Sequence, residues 1–255
     1  MIVEYHRPDT LKKALELLAR DDVKTVPMGG GSWLNQPSNI EYAVVDLQEL
    51  GLDAVQDRGN LIELGATVTL QDLVEIPRLM PAVTEAIRHE AAHNLRHAAT
   101  VAGTLVASGG RSPLTTIFLA LDATVTLLPG EESQDLGNLL PFRSELLAGR
   151  LISRVSIPLN ARVTYHYVAR SPADQPIVCA AAAQWPSGRT RIALGGYGKA
   201  PRLAFDGTES VGSEQAAQDA YSHAGDKWAS AEYRRETAGT LTKRCLEELL
   251  VTINK

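Results

Sequence analysis

Cysteine is nearly missing from this chain of 255 residues, which holds only Cys179 and Cys245. The two stand far apart, without metal-ligand or redox spacing, so a disulfide scaffold and a zinc ribbon are excluded. An iron–sulfur cluster is excluded as well, since it typically takes about four cysteines. The pair reads as reduced thiols of a cytoplasmic protein. Aromatic residues make up 5% of the chain, too few for an RNA-stacking platform. Basic residues are outnumbered, 25 against 30 acidic ones, for a net charge of -5. Nucleic acid, which needs a basic face, is therefore not an expected partner. Long apolar runs are missing too, so no membrane span is expected. The opening "MIVEYHRPDTLKK" lacks the apolar core of a signal peptide.

What is present is an ordinary globular composition, 44% hydrophobic and 22% charged, long enough to bury a real core. In "DTLKKALELLAR", Asp9 or Thr10 caps a helix whose apolar residues Leu11, Ala14, Leu15 and Leu18 recur at helical spacing. "KTVPM" and "YAVVDL" read as strands, so residues 1 to about 52 form a small β–α–β unit. "LIELGATVTL" is a further strand and "TLQDLVE" opens a helix. "AVTEAIRHEAAH" is helical and should stop near His93. "ATVAGTLVASGG" carries too much glycine for a helix. "TTIFLALDATVTLL" is a helix followed by a buried strand, "LISRVSIPL" is a strand, and a boundary falls near residue 160. Beyond it, "PIVCAAAAQW" and "TRIALGGYG" form a hairpin through "PSGR", "DGTESVGSEQ" is a loop, and "ASAEYRRETAGTLTKRCLEELLVTI" is a long amphipathic helix.

"PMGGGSWL" sets Gly29, Gly30 and Gly31 directly after a strand. Glycine permits positive φ and close approach of a ligand to the main chain, and successive N–H groups in a turn can cradle an anion. The spacing is neither G-x-G-x-x-G nor a P-loop, and taken alone the stretch reads as a tight surface turn. "ATVAGTL" adds Gly103 between Thr100 and Thr104, and "ASGGR" follows at once. Two cradles in one half of a chain suit a ligand with a pyrophosphate in its middle, such as a dinucleotide.

With these residues in view, the sequence resembles the FAD-binding medium subunit of the molybdenum hydroxylases, the carbon monoxide dehydrogenase and xanthine dehydrogenase family. "YHRPDTLKKALELL" followed by "PMGGGSWL" is similar to the family opening. "TVAGT" stands where the family has T-I-G-G-N, "LALDATVTL" and "SRVSIP" follow in family order, and "ASAEYRRETAGTLTKRCLEELL" is similar to its S-x-x-Y-R-R signature. The resemblance implies an α+β fold of the molybdopterin dehydrogenase type. Its FAD-binding domain would cover 1–160, with subdomains 1–52 and 53–160 and FAD in the cleft between them. A C-terminal domain, 161–255, would hold a three-stranded sheet with helices.

The resemblance also implies a binding set. Gly29, Gly30, Gly31, Ser32, Trp33 and Leu34 match the first phosphate loop, and Thr100, Val101, Ala102, Gly103 and Thr104 the second. Glu90 falls at a flavin-near position, Ile152 at an apolar contact, and His166 where some relatives place a lysine. Arg170 and Asp174 resemble the basic-then-acidic pair that follows. Trp33 either shields the flavin or anchors its loop in the core. The chain departs from the pattern at Ala102, where the family has glycine, at Thr104, where it has asparagine, and at Pro113, where it has an aspartate. Ala102 and Pro113 are the features that favour an alternative, a non-catalytic scaffold that has lost or weakened FAD binding. The implied partners are a large molybdenum-cofactor subunit, a small iron–sulfur subunit, and an electron acceptor such as NAD or a quinone. No catalytic residue is required of a chain that only positions FAD.

One motif points elsewhere. "HEAAH", His89 to His93, fits the zinc signature H-E-x-x-H, and His97 extends its spacing. A helix that stops near His93 would split the three histidines, so no metal site is expected. Arg234 and Arg235 are expected to form ion pairs at a helix start, with partner docking as the alternative.

Overall fold

The computed structural model describes residues 1–34 and 39–251. In chain order its elements begin with β1 (Ile2–His6), α1 (Leu11–Leu18), β2 (Thr25–Met28), β3 (Tyr42–Asp46), β4 (Val55–Asp57), β5 (Leu61–Gly65) and α2 (Leu70–Val74). There follow α3 (Pro81–Glu90), α4 (His93–Arg96), α5 (Val101–Ala107), α6 (Pro113–Ala120), β6 (Thr124–Leu128), β7 (Glu132–Asp135), α7 (Leu136–Leu139) and α8 (Arg143–Leu146). The chain continues through β8 (Leu151–Pro158), β9 (Arg162–Val168), β10 (Val178–Gln184), β11 (Thr190–Gly195), β12 (Arg202–Gly207), α9 (Ser213–Ala220) and α10 (Ala231–Val251). Thr252 and Ile253, the end of the expected last helix, lie outside the described residues.

The fold is α+β, and it forms two compact units that interleave along the chain. The first comprises Met1–Glu75, His93–Ala107 and Thr124–Ser156. It holds a parallel sheet in the order β1-β3-β2 and a second sheet in the order β4-β5-β8-β6-β7. The middle strand β3 is buried at all five positions, which is why "YAVVD" reads as an unbroken apolar run rather than an alternating one. Parallel neighbours require a crossover, and α1 supplies it. Its N-cap Thr10 accepts from the Lys13 N–H, and Ala14 and Leu18 are buried with Val45 and Leu47. The antiparallel strands β5 and β6 alternate buried and half-buried residues, the signature of one covered face.

The second unit comprises Ile76–Ala92, Ser108–Ala123 and Ile157–Lys255. Its antiparallel sheet runs β12-β11-β10-β9. The small side chains of "VCAAAAQ" let helices approach: Ala180, Ala182, Ile192 and Leu194 pack with Ala238, Leu241, Cys245 and Leu249 of α10. Burial pushes the thiols of Cys179 and Cys245 up to about 12, so neither is ionised near neutral pH. No described helix is long and apolar enough to cross a membrane.

Two expectations fail here. "VAGTLVA" is helical, as α5. Thr100 caps it, its Oγ1 accepting from the Gly103 N–H at 3.1 Å and its carbonyl from the Thr104 N–H at 2.9 Å. Val101, Ala102 and Leu105 are buried. One interior glycine costs about 1 kcal/mol against alanine, less than burying a leucine returns. The C-terminal sheet has four strands, not three. The fourth, β12, is a short edge strand whose Arg202, Asp206 and Gly207 disguise it as a loop.

Candidate functional site

The glycine loop leaves the carboxyl end of β2, the end at which parallel sheets characteristically bind ligands. What its glycines do is set by the segment they touch. A Cβ on Gly30 would sit 1.5 Å from the carbonyl oxygen of Ala98, and one on Gly29 would sit 2.6 Å from Thr100 Oγ1. A Cβ on Gly103 would meet the same Oγ1 at 2.7 Å. Gly30 is required so that main chain can rest on main chain, and Gly29 and Gly103 leave room for the Thr100 side chain. The two loops read separately in the sequence are thereby one surface. Only Gly31 adopts the left-handed backbone, with φ 68, and turns the chain away.

The free main-chain donors of this surface come from the first loop, because the N–H groups of Val101, Gly103 and Thr104 are spent within the chain. Among the described residues, no carbonyl accepts from the N–H of Gly30 or Gly31. Val101 and Ala102 are buried, and the Val101 N–H is spent on Val68 O at 2.9 Å. Gly103 is exposed. The Thr104 hydroxyl turns back on its own helix and donates to Thr100 O at 2.9 Å. Ser32 and Leu34 are half-buried, and the Tyr42 hydroxyl donates to Leu34 O at 2.9 Å, holding the loop's exit. Trp33 is 54% exposed, so it is not a core anchor. Ile152 is 4% exposed in β8, opposite Leu127. Ala102 has helical backbone, where an extra methyl costs no strain.

Glu90 and His166 lie in the second unit. Glu90 ends α3, and its Oε2 accepts from Ser112 Oγ at 2.6 Å and from the Leu114 N–H at 3.0 Å. It thereby satisfies a free N–H in the first turn of α6, and burial pushes its carboxyl above the ordinary range. Pro113 stands at the first position of that helix, behind the N-cap Ser112, where a missing N–H costs nothing. His166 pairs with Glu248 at 2.8 Å, and Arg170 pairs with Asp174 at 2.7 Å. Arg234 is fully buried against Asp226 at 2.8 Å, while Arg235 is exposed. Tyr165 is buried and stacks on Tyr167 with ring centroids 5.6 Å apart.

The histidines of "HEAAH" do not share a helix. Ala91 is extended, with φ -147, so α3 stops before His93 and α4 starts there. His89 contacts the carbonyl oxygen of Asp174 at 2.8 Å, while His93 and His97 meet edge to face at 4.9 Å. Among the described residues no group of three metal-ligating side chains converges. The sequence pattern missed Ala98, whose carbonyl supports Gly30, and Arg143, which donates to Leu105 O at 2.9 Å and ties down the last turn of α5. Neither carries a local signal. Tyr42, a hydroxyl opening an apolar strand, does.

Residues 1–160 match the family model described as the FAD binding domain in molybdopterin dehydrogenase. The chain belongs to that family, and FAD is the cofactor of its domain. It is 31% identical over 247 residues to the uncharacterized protein YgfM of Escherichia coli (strain K12), covering 94% of each. It is 26% identical over 277 residues to the nicotine 6-hydroxylase medium subunit of Paenarthrobacter nicotinovorans, covering 96% of each. Among solved structures, it shares its fold with a chain of the reconstituted CO dehydrogenase from Oligotropha carboxidovorans. The TM-score is 0.80 at 22% identity over 96% of both chains. It shares the fold likewise with a chain of quinoline 2-oxidoreductase from Pseudomonas putida 86, at a TM-score of 0.74 and 23% identity. The cradle fits FAD in kind: a pyrophosphate needs N–H donors and no bulky side chain, and among the described residues Gly30 and Gly31 offer both.

Proposed function

We propose that this chain is the flavin subunit of a cytoplasmic molybdenum hydroxylase. It would receive electrons from a small iron–sulfur subunit, which draws them from a large molybdenum-cofactor subunit, and pass them to NAD or a quinone. The observation that carries this is the main-chain contact of Gly30 with Ala98, which brings the two glycine loops together. Gly29, Gly30, Gly31 and Ser32 on one side, and Thr100, Val101, Ala102, Gly103 and Thr104 on the other, hold the pyrophosphate. Trp33 and Leu34 flank it and Ile152 is the apolar contact, while Glu90 and His166 complete the set that the resemblance implies. Residues 1–160, as subdomains 1–52 and 53–160, carry the flavin, and 161–255 form the C-terminal domain.

When bound, FAD supplies a ring that takes electrons singly or in pairs. The chain's residues bind and orient it, and no acid or base among them is needed for that task. The chain has two cysteines, too few for a cluster, so electrons must come from elsewhere. The alternative of a flavin-poor scaffold draws on one observation, the absence of a carboxylate at Pro113.

Affinity purification from the native host tests the proposal. Recovery of iron–sulfur and molybdenum subunits with the tagged chain is expected. A chain that comes down alone, with its flavin reduced directly by NADH, would overturn it.

A further inference from the structure

A cluster in the second unit is not used by the function proposed above, although its Arg170 and Asp174 resemble a basic-then-acidic pair of the family. Arg111 lies with its guanidinium 4.5 Å from the ring centroid of Trp228, Arg170 at 4.3 Å, and Lys227 with its ammonium at 5.2 Å. One carboxylate serves the two arginines. Asp174 meets Arg111 at 3.5 Å and Arg170 at 2.7 Å. We propose that this cluster is an oxyanion site that takes a phosphate group, either free or carried on a nucleotide.

Charge is the first argument. Three cations and one carboxylate leave a surplus of two positive charges, held around a single indole. Cation–π contacts at an exposed site are weak, and the cations repel one another. A phosphate monoester carries about -1.5 to -2 at neutral pH and cancels the surplus.

Available donors are the second argument. Arg170 gives only its Nε to Asp174, and among the described residues its two terminal nitrogens and the Lys227 Nζ donate to no partner. Forked guanidinium donors match phosphate oxygens in pairs. The indole is already covered by guanidinium groups, so a nucleobase is not the primary ligand.

The third argument is rigidity. Arg111 Nε donates to Pro176 O at 2.8 Å and its Nη2 to Gln175 O, so this side chain is fixed in advance. Asp226 accepts from the Trp228 N–H at 2.7 Å and the Ala229 N–H at 3.2 Å, and is itself clamped by the buried Arg234. A cluster held this way loses little freedom on binding. All of these residues belong to one unit, so the inference does not rest on the flavin.

Calorimetric titration of the full chain at low ionic strength tests it, using inorganic phosphate, adenosine 5′-monophosphate and adenosine. Saturable one-to-one binding of phosphate is expected. Arg170→Gln should weaken it about tenfold or more, the usual scale for a lost charged hydrogen bond. Arg170 is 59% exposed, so this variant folds, and Lys227→Gln provides an independent second variant. Equal affinity for phosphate and the nucleotide identifies the ligand as free phosphate, and tighter binding of the nucleotide identifies it as nucleotide-borne. No detectable phosphate binding, binding that both variants together leave unchanged, or adenosine binding as tight as the nucleotide would overturn the assignment.

Discussion

Gly30→Ala is the smallest change that should separate the two loops. The added Cβ would lie 1.5 Å from Ala98 O. That oxygen belongs to the backbone and has no rotamer into which to retreat, so loop and support must part by well over an ångström. Overpacking typically costs about 1–3 kcal/mol, and a collision between backbones belongs at about 3 kcal/mol. For a chain of this size each kcal/mol lowers Tm by about 2–4 °C, so a fall of about 6–12 °C is expected. Because both halves of the cradle move, FAD affinity should fall at least about tenfold, as a lost pair of hydrogen bonds would give. Thermal melts and FAD titration read the two effects. Gly109→Ala is the control: nothing lies within 4 Å of its added Cβ, and it should be neutral or stabilising by about 0.5 kcal/mol. A Gly30→Ala protein with unchanged Tm and unchanged FAD affinity would refute the reasoning.

Three further outcomes are expected. Burial raises the Glu90 carboxyl above its ordinary value of 4.5. The folded state therefore binds more protons than the unfolded one between 4.5 and the raised value, and stability falls as pH rises through that window. Glu90→Gln keeps an acceptor for Ser112 and Leu114 and should flatten this part of the profile in urea melts. Asp226→Asn removes the carboxylate partner of the fully buried Arg234. Three backbone carbonyls still accept from that guanidinium, so the cost should be about 2–3 kcal/mol by denaturant midpoint rather than the larger loss of a fully abandoned charge. Leu105→Ala empties a fully buried position in α5 and should cost about 2–5 kcal/mol.

Elements whose burial follows a local pattern were legible in the sequence. β3 is a continuous apolar run because both its neighbours are parallel strands. The break after Glu90 follows from small residues and an asparagine. α5 was not legible, because Gly103 argues against a helix locally while Thr100 and the burial of Val101 and Leu105 decide for it. β12 was hidden by the charges that keep an edge strand soluble. At the site, the glycine loop was visible as a loop, but its purpose was not. The contact of Gly30 with Ala98 joins distant parts of the chain and leaves no spacing to read. The same holds for the Trp228 cluster, whose cations come from three separate segments.

The central claim is that the joined glycine loops hold FAD. Purified protein should be incubated with FAD, passed through gel filtration, and its visible spectrum and melting temperature recorded beside those of Gly30→Ala. The account predicts a yellow wild-type protein with one flavin per chain and a raised Tm, as a ligand bound only by the folded state requires, and a variant that loses both. A wild-type protein that elutes colourless with its Tm unmoved by FAD would contradict it.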